Sequence, residues 1–105
     1  MSNNEIAISV VSDVTGVAKS TILSGKRVWP AVEARQLIIL LLSRDGATDE
    51  MISWVLKRGR GAILKSRHSA NDALRLSKLF RAKFDKVSSL YEQQKSLRIS
   101  QDRLS

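Results

Sequence analysis

The chain has no cysteine, which excludes a disulfide framework, a thiolate nucleophile and a cysteine-ligated metal centre. Its single histidine, His68, stands between Arg67 and Ser69, with no second histidine at the spacing that a zinc site requires, so a catalytic or metal role is not expected. Long apolar runs are also missing. The longest aliphatic stretch, Leu37 to Leu42, is closed by Ser43, Arg44 and Asp45, far short of the roughly 20 residues that cross a bilayer. At the N-terminus Asn3, Asn4 and Glu5 precede a mixed stretch, not the basic-then-apolar order of a secretory signal, so the expected location is the cytoplasm. Aromatic residues make up only 5% of the chain, and there is one proline.

Other chemistry is equally scarce. Gly16-Val17-Ala18-Lys19-Ser20-Thr21 has the ending of a phosphate-binding loop but lacks the second glycine and a preceding strand, so it reads as a loop and helix cap. Asp45, Asp49 and Glu50 cluster where a helix boundary favours acids. The expectation is a protein that is not an enzyme and takes no cofactor, metal or small-molecule substrate.

What remains is helical periodicity. With 105 residues, 43% of them hydrophobic, one domain is expected over residues 4–97, followed by a frayed tail at 98–105. Ile6, Val10, Val11 and Val14 recur at helical spacing, predicting a first helix from about Asn4 to Thr15 with Asn3 or Asn4 as cap and Gly16 as stop. Ser20 to Leu23 makes a short second helix capped by Ser20 and ended by Gly25. From Pro30, suited to a first turn, Val32, Leu37, Ile38, Leu40, Leu41 and Leu42 cover most of a helix surface, so this third helix belongs at the centre of the domain. Asp45 and Gly46 break it, and Thr48 caps a fourth helix burying Met51, Ile52, Val55 and Leu56, with Trp54 assigned to the core. Lys57-Arg58-Gly59-Arg60-Gly61 forms a tight turn into a fifth helix that buries Ile63, Ser66 and Ala70. Beyond it, Ala73, Ser77, Phe80, Phe84, Val87, Tyr91 and Gln94 alternate at four and three residues, predicting a long C-terminal helix. Such a stripe either folds back on its own core, the commoner outcome, or forms a homodimer through 73–94. The fold class is all-α, a multi-helix domain with a helix-turn-helix over about 48–56 and 61–72.

Charge supplies the positive clue. Eighteen Lys and Arg face ten Asp and Glu, a formal net charge of +8. The segment Lys57 to Lys86 holds ten of those cations and only Asp72 and Asp85, so it carries the whole excess. A regional excess of this kind points to a polyanionic partner. In the fifth helix Lys65, Arg67, His68 and Ser69 fall opposite the apolar positions, as a helix entering the major groove requires. Lys57, Arg58 and Arg60 stand at its N-terminal bend, where phosphates are met by side chains and backbone amides alike. Lys26 and Arg27 form a second basic loop able to reach an adjacent minor groove or the backbone, and Trp29 either joins them or staples the following helix. The predicted partner is double-stranded DNA, contacted by Lys26, Arg27, Lys57, Arg58, Arg60, Lys65, Arg67, His68 and Ser69. The alternative is a protein adaptor or self-assembly module that uses the amphipathic C-terminal helix.

The helix order, with Ser24-Gly25-Lys26-Arg27-Val28-Trp29-Pro30-Ala31-Val32-Glu33-Ala34-Arg35-Gln36, resembles the C-terminal DNA-binding domain of the bacterial replication initiator DnaA. That family has a Ser-Lys-Arg-type basic loop, then a helix opening with Ala or Pro, then Arg-Gln at this spacing. The likeness spans about Ile6 to Leu76, with Thr48 to Ala70 on the family's helix-turn-helix. It implies a Trp-repressor-like fold whose basic loop touches the minor groove while the second helix of the motif reads the major groove, in a nucleoid-associated protein of a bacterium or phage. The family's Gly-Gly-Arg-Asp-His-Thr-Thr-Val signature corresponds here to Lys57-Arg58-Gly59-Arg60-Gly61-Ala62-Ile63, and Trp29 occupies the place of the loop's base-contacting Arg. Lys26, Arg27, Arg58, Arg60 and Lys65 therefore inherit a DNA-facing position through the resemblance, whereas recognition of the initiator's own sequence box is not implied.

Overall fold

A computed structural model describes the backbone from Ser2 to Leu104 and the side chains from Ser2 to Ser100. It contains six helices: α1 (Asn3–Thr15), α2 (Lys19–Ile22), α3 (Trp29–Arg44), α4 (Asp49–Leu56), α5 (Arg60–Leu76) and α6 (Lys78–Leu104). There is no strand among the described residues, and the fold is all-α as the periodicity requires.

The helix ends follow local chemistry. Ser2 and Glu5 form a capping box, the Ser2 hydroxyl accepting from the Glu5 amide at 3.2 Å while the Glu5 carboxylate takes the Ser2 amide. This corrects the assignment of the cap to Asn3 or Asn4, because the Ser-x-x-Glu spacing satisfies two orphan donors at once. Gly16 closes α1 in the left-handed region at φ 75° and returns its amide to the Ser12 carbonyl, a conformation that glycine adopts without steric penalty. α2 begins one residue before Ser20 and has no side-chain cap. α3 starts at Trp29, with Pro30 in its first turn. The Thr48 hydroxyl accepts from the Met51 amide at 3.2 Å, and Asp49 and Glu50 occupy the first turn of α4.

α3 is the central element. Ala31, Ala34 and every residue from Leu37 to Leu42 are buried, because α3 packs against α1 on one side and α5 on another and also meets α2, α4 and α6. Each large aliphatic side chain removed from water here contributes about 1.5–3 kcal/mol. One apolar cluster gathers residues from all six helices.

The sequence pattern misplaces Trp54 and Met51, the continuity of the C-terminal stripe and the end of the last helix. Trp54, assigned to the core, is 77% exposed, and Met51 is 55% exposed. α4 turns Ile52 and Leu56 inward, and at 100° per residue Trp54 then falls on the opposite side. The stripe from Ala73 to Gln94 is not one helix, for Ser77 adopts an extended conformation (φ −119°, ψ 115°) and its hydroxyl caps α6 by accepting from the Phe80 amide at 3.1 Å. α6 continues to Leu104, beyond the end expected near Leu97. Phe80, Phe84, Val87 and Tyr91, by contrast, follow the commoner expectation for the stripe and are buried within the chain's own core, where α6 lies against α1 and α5. That stripe is thereby used within one copy, so a homodimer would have to use another surface.

α6 is pinned by polar contacts as well. The Tyr91 hydroxyl donates to Asp45 at 2.5 Å, Lys95 reaches the same carboxylate at 3.0 Å, and Lys83 pairs with Glu33 at 2.7 Å. No helix among the described residues is long and apolar enough to cross a membrane.

Candidate nucleic-acid interface

The site is built around a charge that the fold buries. Arg35 lies on α3 among apolar neighbours and is 4% exposed, and an arginine there is tolerated only if its donors are satisfied. It meets that condition through the backbone: Nε donates to the Ile22 carbonyl at 2.8 Å, Nη1 to Lys26 at 2.8 Å, and Nη2 to Thr21 at 3.1 Å and Ser24 at 2.8 Å. Two of these carbonyls belong to α2 and two to the loop that carries Lys26 and Arg27, so one side chain fixes the path of the basic loop. The Ser24 hydroxyl tightens the same bend by accepting from the Lys26 amide at 3.2 Å.

Arg58 comes to this loop from the other direction. Lys57 ends α4 in the left-handed region at φ 56°, reversing the chain so that the Arg58 amide bonds the Ser53 carbonyl at 3.0 Å. The Arg58 guanidinium then reaches the Ser24 carbonyl at 3.4 Å. Its Nε is buried and has no hydrogen-bond partner. Arg35 releases its proton more readily than an ordinary guanidinium, first because it is buried and second because Arg58 stands near it.

Between the loop, α3 and α5 these residues enclose a hollow of about 230 Å³. Four cations line it, Arg27, Arg35, Arg58 and Lys65, with Ser66 as the only other polar side chain in a lining that is otherwise Val32 and Ala62. No carboxylate lines it, and none of the four makes an ion pair among the described residues.

The nine residues expected at the interface divide accordingly. Arg27, Arg58 and Lys65, from three segments of the chain, line the hollow, and Lys26 is held next to Arg27 by its carbonyl bond to Arg35. Lys57 at the turn and Arg60 at the first position of α5 are both exposed, and Arg60 lies on the Asp49 side of α5, where its charge acts on that carboxylate. His68 and Ser69 are exposed further along α5. Arg67 does not join them. Its guanidinium grips Asp49 of α4 through two bonds of 2.9 Å, and that bonding holds the Asp49 carboxyl below its usual pKa and raises that of Arg67. Helical spacing carries Arg67 toward α4, away from the face shared by Lys65 and Ser69. Trp29 does not enter the core; it is 63% exposed beside a separate hollow bordered by Val14, Val17 and Pro30.

Arg35 is the residue that reading the site from its surface cations missed. The signal was present in the sequence: a permanently charged residue inside the central, mostly buried helix must find acceptors, and the nearest unsatisfied ones are the C-terminal carbonyls of the short helix before it. No cluster of His, Asp or Glu able to hold a metal occurs among the described residues. No family model, characterised protein or solved structure matches the chain.

Proposed function

We propose that the protein binds double-stranded DNA, with α5 presented to the major groove and the loop carrying Lys26 and Arg27 on the adjacent backbone or minor groove. The observation that carries this reading is the convergence of two basic segments through Arg35, which sets Lys26 and Arg27 beside Arg58 and Lys65 without an intervening carboxylate. Such a surface neutralises several phosphates at once, and counterion release then drives binding. α5 suits the groove side: Lys65, His68 and Ser69 face solvent, Ile63 and Ala70 hold the helix to the core, and the short α4 precedes it across a three-residue turn. The resemblance to the DnaA C-terminal domain over the basic loop and the α4–α5 segment favours the same placement, in a helix-turn-helix regulator of transcription, replication or a mobile element. The adaptor reading has less support, because the apolar stripe of α6 is buried against the chain's own core.

The test is selection on random duplexes followed by a salt titration of the selected site. The logarithm of the binding constant should fall with log salt at a slope of about −0.9 per phosphate neutralised, and Arg60→Ala should make that slope shallower by about 0.9. A protein that retains no duplex from the pool, or binds with no salt dependence, would overturn the proposal.

A further inference from the structure

We infer that the hollow between the basic loop and α5 is a seat for one phosphate group, with the Arg58 guanidinium as its inner donor and Arg27 and Lys65 closing over it. This rests on the DNA-binding reading and narrows it from a charged face to a single anion position. Arg35 and Arg58 stand close enough to oppose each other's charge, and no acidic side chain separates them. Two guanidiniums held side by side without a counter-charge leave a strongly positive, partly desolvated point, which an oxyanion relieves and a neutral group does not. The half-buried Arg58 guanidinium lines the hollow and gives one hydrogen bond, to Ser24, among the described residues, so it keeps donors for an incoming oxyanion. Ser66 supplies a hydroxyl at the same wall. A phosphate presents several acceptor oxygens, matching this set of donors, and guanidinium groups bind such oxygens with directional bonds.

The frame of the seat exists before the ligand. Arg35 is immobilised by four carbonyls, and Arg58 by its own amide bond to Ser53 and its contact with Ser24. Binding therefore orders mainly the exposed Arg27 and Lys65 side chains, which keeps the entropic penalty small. The group seated is a backbone phosphodiester or a free phosphate, and the two are separable by experiment.

Arginine Nε–H resonances of the full chain are followed by two-dimensional NMR while inorganic phosphate is added at constant ionic strength against sodium chloride, and separately while a short duplex is added. The Arg58 Nε–H signal should move saturably with phosphate. Arg58→Gln should weaken phosphate binding about tenfold or more, as read from any other shifting resonance. Arg58→Lys, which keeps the charge and removes the guanidinium fork, should also weaken it, and Arg27→Gln should do so less strongly. If the duplex moves the same signal and phosphate competes with it, the seat holds a DNA phosphate; if only phosphate moves it, the seat serves a free anion. A signal that responds to phosphate no differently from chloride, with unchanged duplex binding, would eliminate the seat and leave the DNA-binding reading intact. Saturable phosphate binding in a protein that retains no duplex would do the reverse.

Discussion

Arg35 and Arg58 share one acceptor, the Ser24 carbonyl, at 2.8 and 3.4 Å. Their roles differ: Arg35 is enclosed and satisfied, whereas Arg58 is half-buried with a donor left over. Arg35→Met should therefore act on structure first. It removes the donors of four carbonyl bonds, part of whose loss water recovers at the loop, and a destabilisation of about 3 kcal/mol is expected. In thermal denaturation that amounts to a Tm lower by roughly 12–20 °C. Amide exchange should quicken across residues 21–28 before it does so in α6. Unchanged exchange in the loop would show that Arg35 does not organise it.

Arg67 and Lys65 lie two residues apart and should behave oppositely. Arg67 is engaged with Asp49, so Arg67→Ala is expected to lower stability by about 1 kcal/mol, partly exposed ion pairs being weak, while leaving the salt slope of DNA binding alone. Lys65 is exposed at the hollow and has no ion-pair partner among the described residues, so Lys65→Ala should leave stability within about 0.5 kcal/mol and reduce the slope by about 0.9. Urea denaturation and a salt titration on both variants suffice; a reduced slope for Arg67→Ala would mean that its pair with Asp49 opens on DNA.

What could be read from the sequence depended on whether a feature is local. Periodicity and caps report on residues within a turn of each other, so α3, the Thr48 cap and the basic turn before α5 are legible, and the buried face of α6 is too. Trp54 was misread because its aromatic character suggests burial, whereas the phase of α4, set by Ile52 and Leu56, places it outside. Ser77 was read as one more position in a stripe, although a serine followed by Lys78 at the foot of a helix serves equally well as a cap. The candidate site was half legible: each basic segment stands out in composition, but their meeting rests on Arg35, whose acceptors lie 9 to 14 residues away. Such partners follow from topology rather than from spacing.

The Asp45–Tyr91 bond joins the end of α3 to α6 and should shape the pH dependence of stability. The Tyr91 hydrogen bond, reinforced by Lys95, holds the Asp45 carboxyl below its ordinary value of 3.8. A carboxyl lowered in the folded state contributes stability that is complete above about pH 4 and fades as the pH falls further. Tyr91 is shifted the other way: burial first, then the bond to Asp45, raise its phenol well above 10.0. That contribution is complete below pH 10 and is lost as the pH rises beyond it. Urea midpoints measured from pH 2 to 11 should therefore decline at both ends. Asp45→Asn should flatten part of the acid limb, the remainder belonging to Asp49, whose carboxyl Arg67 also holds low. Tyr91→Phe should flatten the alkaline limb. An acid limb unaltered in Asp45→Asn would mean that this carboxylate does not link α3 to α6.

Lys57 separates the demands of fold and function at one position. It is the one non-glycine residue among those described with positive φ, 56° with ψ 45°. A side chain held in that region costs about 1–2 kcal/mol, and glycine is the usual occupant at the end of a helix. Lys57→Gly relieves the strain but gives the unfolded chain more freedom, which offsets part of the gain. The expected net is a stabilisation of about 0.5–1 kcal/mol, seen as a higher urea midpoint with unchanged m-value. If Lys57 also meets a phosphate, the same variant should bind duplex DNA more weakly, with a salt slope shallower by about 0.9. A more stable protein with weaker, less salt-sensitive binding would show that the strained lysine is kept for its charge. If stability rises and binding is untouched, Lys57 lies outside the interface, which then begins at Arg58.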